Sequence, residues 1–289
     1  MNNYKYHLDK SSKKFSCPNC NKKRFVKYIE AESGYFAEDH FGRCDREIEC
    51  GYHLYPKDNG LINNEFTRAL PIKKIEPSYF NLDIQQKTMA KYEINPLVNY
   101  LISQYDYEEV ILTIKKYQVG TSQTFDGSTI YWQKDNNGKV RSGKLMKYDP
   151  LTGKRSKNMD GNGIITWAHS VLKIPDFKLK QCLFGLHLFH NDTKQVAIVE
   201  SEKTAIIMSL ELPQYVWMAT GSLQGFKYEL LEPIKSSQIL AYPDKGGYVK
   251  WSEKANELNK KGFSIEVSKI IEKYECKEGS DLADLLEKS

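Results

Sequence analysis

The stretch QVAIVESEKTAIIMSL, residues 195–210, decides the fold, because it reads as a short apolar strand, a polar turn and a helix. A second stretch, QILAYPDKGGYVKW at residues 238–251, repeats this order. Glu200 follows the first apolar run and Asp244 follows the second. In an open parallel sheet both acids would lie at the carboxyl edge, where such sheets bind ligands. Two acids on one edge predict a divalent metal ion and phosphate chemistry.

The last hundred residues alternate between strand and helix around these two stretches. Gly262 fits a helix C-terminal cap, and an apolar stripe from Tyr248 to Leu258 is typical of a helix packed on a sheet. The pattern therefore predicts an α/β layer with a parallel sheet. Its strands are expected at 195–199, 215–219, 238–242 and 263–268, and its longer helices at 202–210 and 247–261.

The middle of the chain predicts two short helices and a β-hairpin. Asn95-Pro96 opens the first helix, and Asp106 begins the second, which ends near Gly120. Strands at 128–134 and 139–148 flank an Asn- and Gly-containing turn. Residues 58–95 show weak periodicity and are interpreted as a connector.

Positive charge is concentrated in one part of the chain. The net charge is only +5, yet residues 139–157 contain one acid, Asp149, and seven basic residues. A second basic stretch, residues 10–27, has no acid. Such a distribution favours a polyanionic partner, but a solvated basic face gives the same pattern. The seven residues are Lys139, Arg141, Lys144, Lys147, Lys154, Arg155 and Lys157.

Four of the six cysteines form two short-spaced pairs, Cys17 with Cys20 and Cys44 with Cys50. This spacing predicts a tetrahedral zinc site in a zinc ribbon, with His53 as a substitute ligand. A disulfide or unpaired thiols are the alternatives, and a disulfide is disfavoured in a chain without a secretion signal. Cys182 and Cys276 are isolated and are expected to be core residues.

Aromatic and basic residues alternate around these cysteines. The composition suits stacking on bases and pairing with phosphates, but it equally suits the small core that a ribbon needs. The apolar members are Phe25, Val26, Tyr28, Tyr35, Phe36 and Phe41, and the basic members are Lys22, Lys23, Arg24 and Arg43.

The composition restricts the class of protein. A chain of 289 residues that is 40% hydrophobic has room for two or three domains. The first residues, MNNYKYHLDKSSKK, have no apolar centre, and no run of ~18 apolar residues occurs. We therefore expect a cytoplasmic protein with no membrane partner.

The acidic motifs resemble those of the Toprim domain of bacterial primases and related topoisomerases. VESEKTA supplies Glu200, AYPDKGG supplies Asp244, and EGSDLADLLEK supplies Asp281 and Asp284. The segment CLFGLHLF, residues 182–189, resembles the sequence that leads into the primase Toprim domain, and the four-cysteine module is similar to a primase zinc ribbon. The whole chain also resembles small Toprim proteins of mobile elements in Bacteroidetes-like genomes.

The resemblance implies a multidomain α+β and α/β fold. Its expected parts are a zinc ribbon at 1–58, a connector at 59–95, a primase-like basic α/β region at 96–190 and a Toprim-like Rossmannoid sheet at 191–289. The implied activity is a metal-dependent nucleotidyl transfer on a single-stranded DNA template, in replication of a chromosome or mobile element. Nucleoside triphosphates are the implied substrates, and a replicative helicase is a further implied partner.

The resemblance also implies the site residues. Zinc would be structural on the four cysteines, and Mg²⁺ or Mn²⁺ would be catalytic on Glu200 and Asp244, with Asp281 as the third catalytic acid. The basic stretch 139–157 and the lysines next to the two acids supply the expected phosphate and nucleic-acid contacts, Arg141, Lys144, Lys147, Arg155, Lys203 and Lys245.

Three positions depart from the family pattern. Ser201 replaces a glycine, Thr204 stands where primases often carry an acid, and Gly246 falls where the second aspartate of an Asp-x-Asp pair would be. Such a site is expected to bind metal weakly and to prefer Mn²⁺. The departures keep open a non-catalytic nucleic-acid-binding protein and, with less support, a Toprim nuclease. No phosphate-binding loop of the helicase type occurs.

Overall fold

The computed structural model describes residues 5–11, 13–46, 49–56, 76–190, 192–193 and 195–288. The chain divides into two compact units, residues 1–75 and 76–289. Within the described ranges, no helix is both long enough and apolar enough to cross a bilayer. One antiparallel sheet lies in the first unit, and one antiparallel and one parallel sheet lie in the second, which confirms the predicted mixed fold class.

The first unit is an antiparallel sheet built around cysteines. Its strands pair in the order β1-β3-β4-β5, and β2 also pairs with β3. Phe25 on β3 is fully buried and packs with three of the cysteines. The strands are β1 (Tyr6–Leu8), β2 (Phe15–Ser16), β3 (Lys23–Glu30), β4 (Gly42–Cys44) and β5 (His53–Leu54).

The second unit begins with helices whose starts the sequence predicts. The side chain of Asn95 accepts hydrogen bonds from two backbone N–H groups of α2, and Asp106 does the same for α3. Residues 76–95, the described part of the predicted connector, contain α1 and a 3-10 turn and belong to this unit, while residues 59–75 lie outside the described ranges. The helices are α1 (Leu82–Thr88), α2 (Pro96–Gln104) and α3 (Tyr107–Lys116), and the turn is Tyr92–Ile94.

An antiparallel sheet follows, in the order β6-β7-β8-β9. The predicted hairpin is present as β7 and β8. However, β8 lies between β7 and β9, and six of its seven residues are buried, so its basic side chains do not form an open face. The elements are β6 (Gly120–Ser122), β7 (Ser128–Lys134), β8 (Val140–Met146), β9 (Ile165–Trp167) and helix α4 (Ala168–Val171).

A parallel sheet in the order β11-β10-β12-β13 completes the unit, as the sequence predicts. Its strands are β10 (Gln195–Val199), β11 (Val216–Ala219), β12 (Gln238–Tyr242) and β13 (Ser264–Val267). Its helices are α5 (Glu202–Glu211), α6 (Tyr228–Leu231) and α7 (Tyr248–Asn259). Short 3-10 turns lie at Leu186–Leu188, Leu223–Gly225, Glu232–Ile234, Ile271–Lys273 and Ala283–Lys288.

Apolar cores cover both faces of the parallel sheet. Ala197 and Val199 of β10 pack with α2, α3 and α5, whereas Val196 and Ile198 pack on the α7 side. The Tyr117 hydroxyl, just after α3, donates a hydrogen bond to the Trp217 carbonyl oxygen on β11 at 2.9 Å. The regions predicted as 96–190 and 191–289 thus share one core.

Candidate functional site

The four cysteines of the first unit converge. Each offers a sulfur atom, and all four atoms lie within 4.8 Å of one another. The Sγ atoms of Cys17 and Cys50 are 3.6 Å apart, and those of Cys20 and Cys44 are 3.9 Å apart. Tetrahedral zinc with bonds of about 2.3 Å needs sulfur separations of about 3.8 Å, whereas a disulfide needs about 2.0 Å.

This geometry fits structural zinc and none of these cysteines is in a disulfide. Burial raises the pKa of the Cys44 thiol to about 12, while the Lys22 backbone N–H lowers the pKa of the Cys20 thiol to about 6. Zinc binding would release the thiol protons and hold all four sulfurs. His53 is outside the cluster, and its Nε2 atom lies 2.9 Å from the Tyr28 hydroxyl.

The aromatic residues around the cysteines divide into core and surface. Phe25, Val26 and Tyr28 are buried, whereas Tyr35 is 78% exposed and Phe36 is 41% exposed. The Phe36 ring meets the Phe15 ring edge-on, and the Nζ atoms of Lys13 and Lys27 approach the Phe15 ring. Lys27 is also paired with Asp39 at 2.6 Å, so the surface of this unit combines the exposed Tyr35 and Phe36 rings with the ammonium group of Lys13.

Glu200 and Asp244 lie side by side at the carboxyl edge of the parallel sheet. Strands β10 and β12 are neighbours, with Val199 paired to Tyr242, so the residues that follow these strands meet. The backbone N–H of Asp244 donates to Glu200 Oε1 at 3.3 Å. Asp244 Oδ1 is buried and has no hydrogen-bond partner among the described residues. A buried carboxylate oxygen without a donor suits a cation.

The electrostatics of this edge favour protonation when no cation is bound. Burial raises the pKa of Asp244 to about 8, and the charges of Glu200, Asp281 and Asp284 add to the effect. Burial also raises the pKa of Glu200. The residues therefore fit a divalent ion such as Mg²⁺, which takes only one or two protein carboxylates. In the described part of the chain, the cysteines alone group three or more ligand atoms within 4.8 Å.

Asp281 lies near these acids but is engaged by its own surroundings. Its Oδ2 atom accepts a hydrogen bond of 2.5 Å from Thr204 Oγ1, and its Oδ1 atom accepts from the backbone N–H groups of Ala283 and Asp284. Burial raises the pKa of Asp281. Thr204, a departure from the pattern discussed for the sequence, thus donates to a carboxylate and helps to orient it.

Gly246 has its own structural reason to be glycine. Its φ is +87°, and an added Cβ would overlap the Glu278 carboxylate. Its backbone N–H donates to Glu272 Oε1 at 2.9 Å. The Nζ atom of neighbouring Lys245 donates to the carbonyl oxygens of Glu272 and Tyr274. The turn after Asp244 is therefore fixed to the segment that follows β13.

Some of the predicted phosphate contacts already pair with acidic side chains of the protein, and others do not. Arg141 pairs with Asp135 at 2.7 Å, Lys144 with Glu202 at 3.0 Å and Lys147 with Asp126 at 3.6 Å. Lys203 donates to the carbonyl oxygen of Gly153. Burial and the neighbouring acids raise the pKa of Asp244, and the charge of exposed Arg155 offsets a small part of this effect. These phosphate contacts stay predictions, and Arg141 and Lys144 would first have to leave their acidic partners.

Glu202 is a buried acid next to this edge that sequence reasoning missed. It is 1% exposed at the first position of α5, a helix that is buried almost all round. A glutamate opening such a helix needs a charged partner, and this is the signal that could have marked it. The partner, Lys144, lies 58 residues earlier in the chain, and nothing in the sequence around Glu202 indicates which residue the partner is.

Two protein families match the chain. The family described as "Domain of unknown function (DUF6371)" matches residues 95–245, more than half of the 289 residues. A zinc beta-ribbon finger family matches residues 4–65, which contain the four cysteines. No curated protein matches the chain.

Several solved primase structures are similar in fold. The primase fragment of the bacteriophage T7 primase-helicase protein is 15% identical with a TM-score of 0.46, and the match covers 95% of each chain. The E. coli primase catalytic core is 12% identical with a TM-score of 0.43, covering 71% of this chain and 74% of that one. The RNA polymerase domain of Mycobacterium tuberculosis primase, in complex with double-stranded DNA, is 14% identical with a TM-score of 0.46 over the same shares. At these TM-scores the likeness carries no argument about function.

We expect purified protein to contain about one zinc per chain, because the four sulfurs match a tetrahedral site. Cys17→Ser should lower the zinc content and destabilise the first unit. Cys276→Ser, a thiol outside the cluster, is the matched control and should leave zinc unchanged. Elemental analysis checks this, and a content near zero in folded wild-type protein that never met a chelator contradicts it.

The Asp244 carboxyl should make the stability of the second unit depend on pH. In the folded chain it keeps its proton up to about pH 8, whereas the unfolded chain loses it near 3.8. The folded state therefore binds this proton more tightly than the unfolded state. The resulting contribution to the free energy of unfolding is fully present below about pH 4 and is lost as the pH rises towards 8. Asp244→Asn has no proton to lose, so its free energy of unfolding should not fall in this way. Relative to wild type, the variant should gain at most about 1.4 kcal/mol for each unit by which the pH rises between these values.

Urea unfolding followed by tryptophan fluorescence measures this difference, because all four tryptophans lie in the second unit. The protein is kept zinc-loaded and free of other divalent ions. Asp83→Asn, an exposed acid on α1 of the same unit, serves as the control. Parallel pH profiles for wild type and Asp244→Asn would contradict the assignment.

Proposed function

The chain belongs to the family described as "Domain of unknown function (DUF6371)", and from its residues we propose that it is a primase-like, metal-dependent nucleotidyltransferase. Its substrates would be a single-stranded DNA template and nucleoside triphosphates, in replication of a chromosome or mobile element. A replicative helicase is the proposed further partner.

One observation carries this proposal. Two carboxylates follow adjacent parallel strands, and the buried Oδ1 atom of Asp244 has no protein donor among the described residues. Burial makes the charged form of the Asp244 carboxyl unfavourable, and the negative charges of three further carboxylates add to this effect. An arrangement of this kind is typical of a site whose charge is completed by a bound cation.

The proposed chemistry assigns roles to residues of this edge. Mg²⁺ or Mn²⁺ held by Glu200 and Asp244 would neutralise charge on the triphosphate. Glu200 assists deprotonation of the attacking 3′-hydroxyl, a role that a carboxylate at this edge can take. Asp281, oriented by Thr204, adds negative potential that favours the cation. Arg155 and Lys203 are the proposed phosphate contacts. Lys147 and Lys245 are further candidates, but Lys147 pairs with Asp126 and Lys245 donates to the Glu272 carbonyl oxygen.

Template binding is proposed for the zinc ribbon and for residues 139–157. The ribbon supplies exposed Tyr35 and Phe36, and the Lys13 ammonium lies near the Phe36 ring. Lys27 also approaches Phe36, but it is paired with Asp39 at 2.6 Å. Lys154 and Lys157 are exposed in the loop after β8, where phosphates can reach them. Both surfaces suit a single strand, which exposes bases and phosphates together.

A second candidate is a nucleic-acid-binding protein without catalysis. Thr204 is engaged by Asp281, and a Cβ at Gly246 would overlap Glu278, so neither position supplies a further acid. A nuclease would use the same acids on water and is the third candidate. The experiments below separate these three.

The first experiment measures product formation. Wild-type protein incubated with single-stranded template, labelled nucleoside triphosphates and Mg²⁺ or Mn²⁺ should make short products, with more product in Mn²⁺. Glu200→Gln and Asp244→Asn should each reduce the rate by roughly 100-fold or more, because each removes a ligand of the metal. Both variants should fold and should lose the thermal stabilisation by Mn²⁺.

Glu266→Gln, an exposed acid on β13 of the same sheet, is the matched control and should keep wild-type product formation. If wild type makes no product and shows no metal-dependent thermal shift but binds single strands, the binding-protein function replaces the enzyme. Metal-dependent shortening of the template would favour the nuclease.

Stacking on the zinc ribbon should supply part of the template affinity. Tyr35→Ala should weaken binding of a single-stranded oligonucleotide by about 1–3 kcal/mol, the range for one aromatic that stacks on a base. Tyr107→Ala removes a tyrosine that is 60% exposed on α3 and is the control. Fluorescence anisotropy measures both, and equal affinities would mean that the Tyr35 ring does not contact the strand.

A further inference from the structure

Lys144 and Glu202 form a buried ion pair beside the acidic edge. Lys144 is 8% exposed and Glu202 is 1% exposed. The Lys144 Nζ atom lies 3.0 Å from both carboxylate oxygens of Glu202. Burying two charges is costly, and apolar residues of similar size often serve stability as well. Stability alone therefore does not explain the pair.

The Lys144 ammonium also reaches the backbone that carries Glu200. It donates to the carbonyl oxygen of Gly221 at 3.2 Å, in the loop after β11. The backbone N–H of Gly221 in turn donates to the carbonyl oxygen of Glu200 at 2.8 Å. Lys144 thus connects β8 of the antiparallel sheet to two neighbouring segments of the parallel sheet, the loop at 221 and the turn at 200–202.

Gly221 makes this connection possible through its conformation. Its φ is +77°, which favours glycine, and a Cβ there would lie 3.2 Å from Glu202 Oε1. The loop can therefore approach the ion pair closely enough for its carbonyl oxygen to receive the third hydrogen of the ammonium. An ammonium group has three donors, and these three oxygens occupy them.

We propose that Lys144 is a positioning residue for the acidic edge rather than a phosphate contact. By holding Glu202 and Gly221 together, it fixes the turn from which Glu200 faces Asp244. This inference rests on the proposed function only where it predicts an effect on metal affinity. The hydrogen bonds of Lys144 are present in the protein without a metal ion. Glu202, at the start of α5, is held by the same contacts and shares the positioning role.

The test replaces the pair by apolar residues of similar size, Lys144→Met with Glu202→Leu, so that no buried charge is left without a partner. Glu202→Gln is a milder second variant in case the double variant does not fold, and Lys144→Arg preserves the charge and the donors. Three quantities are measured on the full zinc-loaded chain: hydrogen exchange of the Gly221 amide, the affinity for Mn²⁺ alone, and the salt dependence of single-strand binding.

In the double variant we expect Gly221 exchange to be faster by at least about tenfold, since the loop loses a charged hydrogen bond. Mn²⁺ affinity should fall by a similar factor, whereas the salt slope should stay unchanged. Glu202→Gln should shift both quantities in the same direction but less, and Lys144→Arg should restore most of the wild-type values.

Wild-type exchange at Gly221 together with wild-type Mn²⁺ affinity in either folded pair variant would overturn the proposal. A salt slope reduced by about 0.7 with unchanged Mn²⁺ affinity would identify Lys144 as a phosphate contact and overturn it equally. If wild type binds no Mn²⁺, the proposed function fails, and the Gly221 exchange still decides whether Lys144 positions the turn.

Discussion

The parallel pairing of β10 with β12 is the constraint on which the candidate site depends. Because the two strands run in the same direction and in register, the residues that follow them meet at one edge. Each acid alone would be a helix-start or turn residue. Together, at a buried edge, they repel each other, and a proton or a cation has to relieve that repulsion.

The acidic edge is held from several directions at once. Thr204 orients Asp281 from within α5, Glu272 fixes the backbone of Gly246, and Lys144 reaches across from the antiparallel sheet. The shared apolar core keeps these segments in place. A cation site gains from such rigidity, because its ligands then need little reordering on binding.

The order of elements in the last hundred residues follows from local rules. Short apolar runs bounded by polar turns favour buried strands, and the observed bounds of β10 and β12 match the predicted ones. The cysteine spacing likewise predicted the cluster that the structure contains. In both cases the information lies within a few residues.

The sequence does not indicate which residues contact each other when they are far apart along the chain. Nothing near Lys144 in the sequence indicates that it is buried against Glu202, and its charge alone predicts a nucleic-acid contact. The burial of β8 depends on its position between β7 and β9, which a hairpin pattern does not reveal. Tertiary context decides whether a charge is a ligand or a structural contact.

The conformation of Gly246 limits how this site can change by mutation. The backbone there is left-handed, and the Glu278 carboxylate fills the volume of a side chain. A single substitution of Gly246 by aspartate would meet both backbone strain and a steric clash. Glu278 is exposed and its carboxylate ends a flexible side chain, so a change of rotamer can relieve the clash, whereas the backbone strain at Gly246 remains. An acid introduced at Gly246 would therefore lower stability mainly through the backbone conformation that it has to adopt.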